Sequence, residues 1–226
     1  MTEANTMPVT VDEAWLAIQS AGTLSPYKQL LLACQAELRP KLAEAFAVGD
    51  QVGGALLESA KGADLSDRFM LRLSERLEPS AGQPAAGDDE PVRQGQTDPD
   101  WMPAALSDFL HRSGRRLKWR SVGAGVRQAR IASSRTGERL YLLKARSGFA
   151  VPKHSHRGQE WTLVLTGGYK AGERQYVAGD LHQEDETCLH DLRIDDDGPC
   201  ISLVADEGKL RFANPLLKLL QPFLGL

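Results

Sequence analysis

Between Pro79 and Pro103 the chain reads PSAGQPAAGDDEPVRQGQTDPDWMP, and the spacing of apolar residues changes across it. Before this stretch apolar residues recur every three or four positions; after it they recur every second position. A segment so rich in Pro, Gly, Ala and acid has almost nothing to bury and reads as a flexible or partly extended linker. The expected division is a helical front over residues 1–78, a linker over 79–100 and a strand-rich rear over 101–226. With 226 residues, 42% of them hydrophobic, the chain can fill real cores. The fold class to expect is α+β multidomain, a small N-terminal helical bundle linked to an antiparallel β-barrel.

Turn and cap chemistry sets the helices. Asp12 suits a cap for a short helix through Ser20, ended by Gly22. Ser25-Pro26 is a strong start, because the hydroxyl caps and proline costs nothing at the first turn. The helix that follows presents Leu30, Leu31, Cys34 and Leu38 on one face, and Pro40 should kink or restart it. Leu42 to Ala60 is expected to be broken or bent by Gly49, Gly53 and Gly54. A last helix runs from about Leu65 to Leu77, with Leu65, Phe69, Leu73 and Leu77 four apart. Such a bundle has a thin core that calls for a partner.

Behind the linker, Trp119 to Ile131, Leu140 to Lys144, Trp161 to Leu165 and Ile201 to Val204 read as strands, separated by Gly, Ser and Pro turn signals. The apolar tail Leu216 to Leu226 reads as a final short helix or strand. Trp119 and Trp161 are expected in the core or lining the barrel.

Charge is unevenly shared. Residues 1–78 carry 7 basic and 11 acidic side chains, residues 79–100 carry 1 and 5, and residues 101–226 carry 19 and 14. An acidic front repels phosphate and so argues against DNA binding; it suits a basic protein surface instead. Arg112, Arg115, Arg116, Lys118 and Arg120 form a basic stretch, read as a solvated face or an intramolecular partner for the acidic front. Three cysteines, Cys34, Cys188 and Cys200, make neither a disulfide framework nor a CxxC site, which fits a reducing, cytoplasmic compartment. The longest clean apolar run, Leu30 to Cys34, cannot span a bilayer, and no signal-peptide pattern opens the chain.

Four of the five histidines fall between His154 and His190. On a strand, residues two apart face the same side, so His154 and His156 project together, and Glu160 shares their parity. Two imidazoles and a carboxylate outline a first-row metal site. A fourth ligand would come from a neighbouring strand, with His190 the natural choice and His182 its rival. Cys188 shares parity with His190 and reads as a small buried hydrophobe or, less simply, a redox-responsive thiol. No nucleophile–base triad, phosphate loop or recognition helix is evident.

His154-x-His156-x3-Glu160-x6-Gly167 resembles the first cupin motif without gaps. Gly179 through His190 has the spacing of the second, with Asp185 and Thr187 where Pro and Gly are usual, and that spacing favours His190 over His182. The resemblance extends over nearly the whole chain to the ChrR family of zinc-containing anti-sigma factors. It is carried by Ala21-Gly22-Thr23-Leu24, Val52-Gly53-Gly54, Gly123-Ala124-Gly125-Val126-Arg127-Gln128, His156-Arg157-Gly158, Ala178-Gly179-Asp180, Leu210-Arg211-Phe212 and Gln221-Pro222-Phe223.

That resemblance implies a helical anti-sigma domain joined to a cupin (double-stranded β-helix) domain. It implies a sigma factor of the extracytoplasmic-function type as partner, and Zn²⁺ on His154, His156, Glu160 and His190 as part of a stress sensor. The family's front domain usually holds its own zinc on an early histidine and a His-x3-Cys-x2-Cys run. Here no histidine precedes His111, and Cys34, Leu38 and Lys41 occupy the places of that run. No metal is therefore expected in residues 1–78, with apolar packing, Leu38 included, in its place. A three-histidine, one-glutamate set also permits a metal-dependent cupin enzyme, dioxygenase-like, with the front as a dimerisation domain, or a cupin that only binds a small ligand.

Overall fold

The computed structural model describes residues 19, 21–77, 98–155, 157–187, 190–208 and 211–212. The helix expected over 12–20, the linker up to residue 97 and the tail over 216–226 lie outside these, residue 19 apart. The first described helix, α1 (Pro26–Leu38), begins where Ser25-Pro26 predicts, with Ser25 Oγ accepting from the Lys28 amide at 3.3 Å. Arg39 leaves helical geometry and Pro40 restarts the chain as α2 (Pro40–Ser59).

The expected break in α2 does not occur: the helix runs 20 residues through Gly49, Gly53 and Gly54. Glycine in a helix costs only about 1 kcal/mol relative to alanine, and the intervening Ala, Leu and Glu residues keep the helix propagating. A Cβ added at Gly53 or Gly54 meets nothing within 4 Å. Gly53→Ala and Gly54→Ala should each therefore stabilise α2 by up to about 1 kcal/mol. Amide exchange over residues 40–59 checks this; faster exchange in either variant would contradict it. Helix α3 (Asp67–Leu77) starts later than its apolar spacing predicts, because Ser66 Oγ accepts from the Phe69 amide and leaves Leu65 outside the helix.

Helix α4 (Ala104–Arg112) has Pro103 at its cap position and no capping side chain of its own. Glu37 of α1 supplies one: its carboxylate accepts from the Ala104 and Ala105 amides at 2.6 and 2.8 Å, a carboxylate at a helix N-terminus. The chain on either side of the linker is joined there.

Eleven described strands follow: β1 (Trp119–Gly123), β2 (Val126–Ser133), β3 (Arg139–Ala145), β4 (Ala150–Ser155), β5 (Glu160–Thr166), β6 (Gly168–Ala171), β7 (Arg174–Val177), β8 (Leu181–Glu184), β9 (His190–Ile194), β10 (Cys200–Asp206) and β11 (Arg211–Phe212). The single strand expected over Trp119–Ile131 is a hairpin. Gly125, at φ +83°, turns the chain where a side chain would collide with Arg146. The strands form an antiparallel six-stranded sheet, β1-β2-β3-β10-β5-β8, and an antiparallel five-stranded sheet, β11-β4-β9-β6-β7.

The six-stranded sheet is buried on both faces. Leu140, Leu142, Trp161, Leu163, Leu165, Leu203 and Ala205 pack with Leu31, Leu32 and Cys34 of α1 and Leu106 and Leu110 of α4 in one core. The alternate residues, among them Tyr141, Leu143, Glu160, Thr162 and Ser202, line the space toward the second sheet. Helix α1 thus takes its apolar partner from the rear domain, whereas α2 buries no residue and α3 is exposed along residues 67–76. Leu38 packs partly buried against the same core.

Polar contacts fix the docking of α1. Gln35 Nε2 donates to the Gly179 carbonyl at 3.1 Å, and Arg39 pairs with Asp180 at 2.9 Å. Ser25 Oγ donates to Glu138 at 2.6 Å, and Lys28 pairs with Glu207 at 2.6 Å. Burial would raise the Glu207 carboxyl, but hydrogen bonds from Lys28 and the Gln159 amide, with the charge of Lys28, hold it below its ordinary value. A depressed carboxylate contributes stability above its unfolded pKa and loses it as pH falls through the folded one. Acidification from pH 5 downward should therefore lower the protection factors of the α1 amides, taken against intrinsic exchange at each pH. A flat profile through that range would show that the pair adds nothing.

Candidate metal site

The described members of the expected ligand set lie on three strands. His154 lies on β4, 3% exposed, and its Cα pairs with that of His190 across β4 and β9. Its Nδ1 stands 2.8 Å from the Pro152 carbonyl. An N–H can meet that oxygen only if Nδ1 carries the proton, which makes Nε2 the nitrogen with a lone pair for an ion. Glu160 opens β5 and faces Glu184 on β8 and Asp206 on β10 by register. Thr162 Oγ1 donates to Glu160 Oε1 at 3.2 Å, and the Tyr141 hydroxyl stands 3.5 Å from Oε2.

His154 and Glu160 line the same cavity of about 240 Å³ between the sheets. Its other walls are largely apolar, with Val122, Leu143, Phe149, Leu192 and Ile194 among them. An imidazole and a carboxylate fixed by second contacts and lining one cavity have donor chemistry that fits a divalent ion. His156 lies outside the described residues, and the structure places His190 through its backbone. Among the described residues no group of three His, Cys, Asp or Glu side chains is arranged to hold an ion.

A buried acid–base cluster stands behind Glu160. Arg139 holds Asp206 with two hydrogen bonds of 2.7 and 2.6 Å, and the Tyr141 hydroxyl donates to the same carboxylate at 2.8 Å. Burial pushes the Asp206 carboxyl up, opposed by Arg139 and Tyr141. Tyr141, wholly enclosed, is pushed well above its ordinary value by burial and by the nearby carboxylates. Sequence reasoning missed this group, because Arg139 and Asp206 sit 67 positions apart and look like strand-end charges.

His182, the rival ligand, is buried on β8 with both ring nitrogens engaged. Nε2 lies 2.5 Å from Glu184 and Nδ1 lies 2.9 Å from the Tyr169 hydroxyl, with Tyr176 stacked at 4.1 Å. Cys200 lines the cavity, its thiol pushed up to about 11 by burial, so it carries little thiolate at neutral pH. Cys188 lies outside the described residues. Cys34 is fully buried in the core and its thiol is raised to about 12 by burial, while Lys41 is exposed. Trp161 is a core residue under α1 rather than a wall of the cavity. The five basic residues from Arg112 to Arg120 are exposed, as a solvated face requires. No helix among the described residues is long and apolar enough to cross a membrane.

Comparison with known proteins places the chain in a family. Residues 111–207 match the family model described as the ChrR cupin-like domain. The chain is 35% identical over 214 residues to the anti-sigma-E factor ChrR of Cereibacter sphaeroides, covering 94% of this chain and 96% of that one. The crystal structure of Rhodobacter sphaeroides SigE in complex with the anti-sigma ChrR superposes with a TM-score of 0.67 at 30% identity. That match covers 87% of this chain and 97% of the other. Both the family and the cupin-like domain are consistent with a bound metal ion. Four helices followed by antiparallel cupin sheets, with that identity over nearly the full length, make the chain a member of the ChrR family of anti-sigma factors.

Proposed function

We propose that the chain is a cytoplasmic anti-sigma factor. Its front helices hold a sigma factor of the extracytoplasmic-function type away from RNA polymerase, and its rear domain holds Zn²⁺ on His154, His156, Glu160 and His190. The role is regulatory rather than enzymatic, which sets aside the dioxygenase-like alternative. The division of labour follows the expected boundaries, 1–78 for the partner, 79–100 as linker and 101–226 for the ion. A four-ligand tetrahedral zinc leaves no open position and acts as a structural centre whose loss can shift a two-state element.

One observation carries the partner surface. Val48, Val52 and Leu56 form a stripe at helical spacing on α2, 56–67% exposed, on a helix that fully buries no residue and packs only partly buried side chains such as Phe46 on the core. Phe69, Met70 and Leu73 are exposed on α3. Two such faces on consecutive helices mark an interaction site rather than scattered surface residues. The double variant Leu56→Glu, Phe69→Glu should weaken sigma-factor binding by at least about 100-fold, the effect of losing central apolar anchors, with the thermal midpoint unchanged. Binding of the double variant at wild-type affinity would refute this assignment.

A further inference from the structure

One end of α1 meets the rear domain beside a proposed ligand. Lys28 is 7% exposed; its Nζ donates to Gln159 Oε1 at 2.9 Å and to Glu207 Oε1 at 2.6 Å, and stands 5.2 Å from the centre of the Trp161 ring. Gln159 directly precedes Glu160 and Trp161 directly follows it. One ammonium therefore touches both chain neighbours of the carboxylate.

The segment before Glu160 is confined on its other side as well. Glu207 accepts from the Gln159 amide at 3.2 Å and donates its own amide to the Gln159 carbonyl at 3.0 Å. A Cβ added at Gly208 would stand 2.2 Å from the Arg157 carbonyl oxygen, and one at Gly158 would stand 3.0 Å from Glu207. A buried ammonium deprived of its acceptors is left uncompensated, so these contacts form and break as a unit. The opposite end of α1 is anchored separately, by Arg39 on Asp180.

We propose that Lys28 is a positioning residue for Glu160: α1 docks on the conformation of residues 157–160 that presents the Glu160 carboxylate to the ion, so ion binding and helix docking favour each other. The inference deepens the ligand set proposed above and rests on it. Linkage makes the coupling reciprocal: the factor by which docked α1 tightens the ion equals the factor by which the ion tightens α1. Because α1 passes through Arg39 directly into α2, loss of the ion loosens the base of the helix that presents the partner surface.

The test uses the full-length protein, with Zn²⁺ competed against a chromogenic chelator and amide exchange followed over residues 26–38. Lys28→Met should lower zinc affinity about tenfold, within the usual range of such couplings, and zinc should slow exchange in wild-type α1 by a similar factor but not in the variant. Arg39→Ala, which loosens the far end of α1 without touching residues 157–160, should lower the thermal midpoint and leave zinc affinity unchanged. Equal zinc affinity in wild type and Lys28→Met overturns the coupling, and so does an equal loss in both variants. A wild-type chain that binds no zinc overturns the ligand set together with this proposal. Sigma-factor binding, measured in parallel, judges the anti-sigma reading independently.

Discussion

Replacing His154 and His156 together by alanine should strip the ion from the rear domain, taking zinc content from about one per chain to below about a tenth after dialysis. His154 is buried, and its Nδ1 contact to Pro152 fixes the ring. Glu160 and His190 would remain, too few for a tetrahedral site. Removing a second contact to a zinc ligand already costs about 10- to 100-fold in affinity, and removing two ligands costs more. Elemental analysis of the purified variant beside wild type decides the matter. Undiminished zinc would place the ion elsewhere in the chain.

Trp161→Ala should produce the largest loss of stability of any single change, about 3–5 kcal/mol. The ring is 1% exposed, lies in the core shared by α1, α4 and the six-stranded sheet, and carries the Lys28 ammonium over its face. The cavity left under α1 removes apolar contact from two layers at once, and with it a cation–π contact worth about 0.5–2 kcal/mol. Domains are stable by only about 5–15 kcal/mol, so the variant would sit near the edge of folding. Thermal unfolding should show a midpoint lower by about 6–20 °C. Trp119→Ala, at a half-buried ring on the same core, should cost clearly less. Equal and small losses in both would show that α1 is not seated on Trp161.

Local signals in the sequence were decisive for particular elements. Ser25-Pro26 starts α1 because a capping hydroxyl and a preset φ act within one turn, and Pro40 restarts the chain for an equally local reason. His154 and Glu160 are legible from the spacing of their motif, but strand parity does not join them: the turn at Arg157-Gly158 ends β4, and Glu160 opens β5 in the other sheet, so the two line one cavity from different sheets. The α2 glycines misled, because a penalty of about 1 kcal/mol per residue is outweighed by an otherwise favourable helix. The Trp119–Ile131 hairpin was missed although Gly123-Ala124-Gly125 announces a turn, since apolar alternation continues across it.

What the sequence by itself determined is the chemistry of short range: helix starts, the two-part division of hydrophobic period, and the family. The docking of α1 was decided only in three dimensions. Trp161, Leu163 and Leu165 alternate with Glu160, Thr162 and Val164, which marks a strand buried on both faces without naming what covers either. Lys28 finds Glu207 across 179 positions and Arg139 finds Asp206 across 67. Hydrophobic burial is non-directional and ion pairing depends on separation in space, so neither leaves a local trace of its partner.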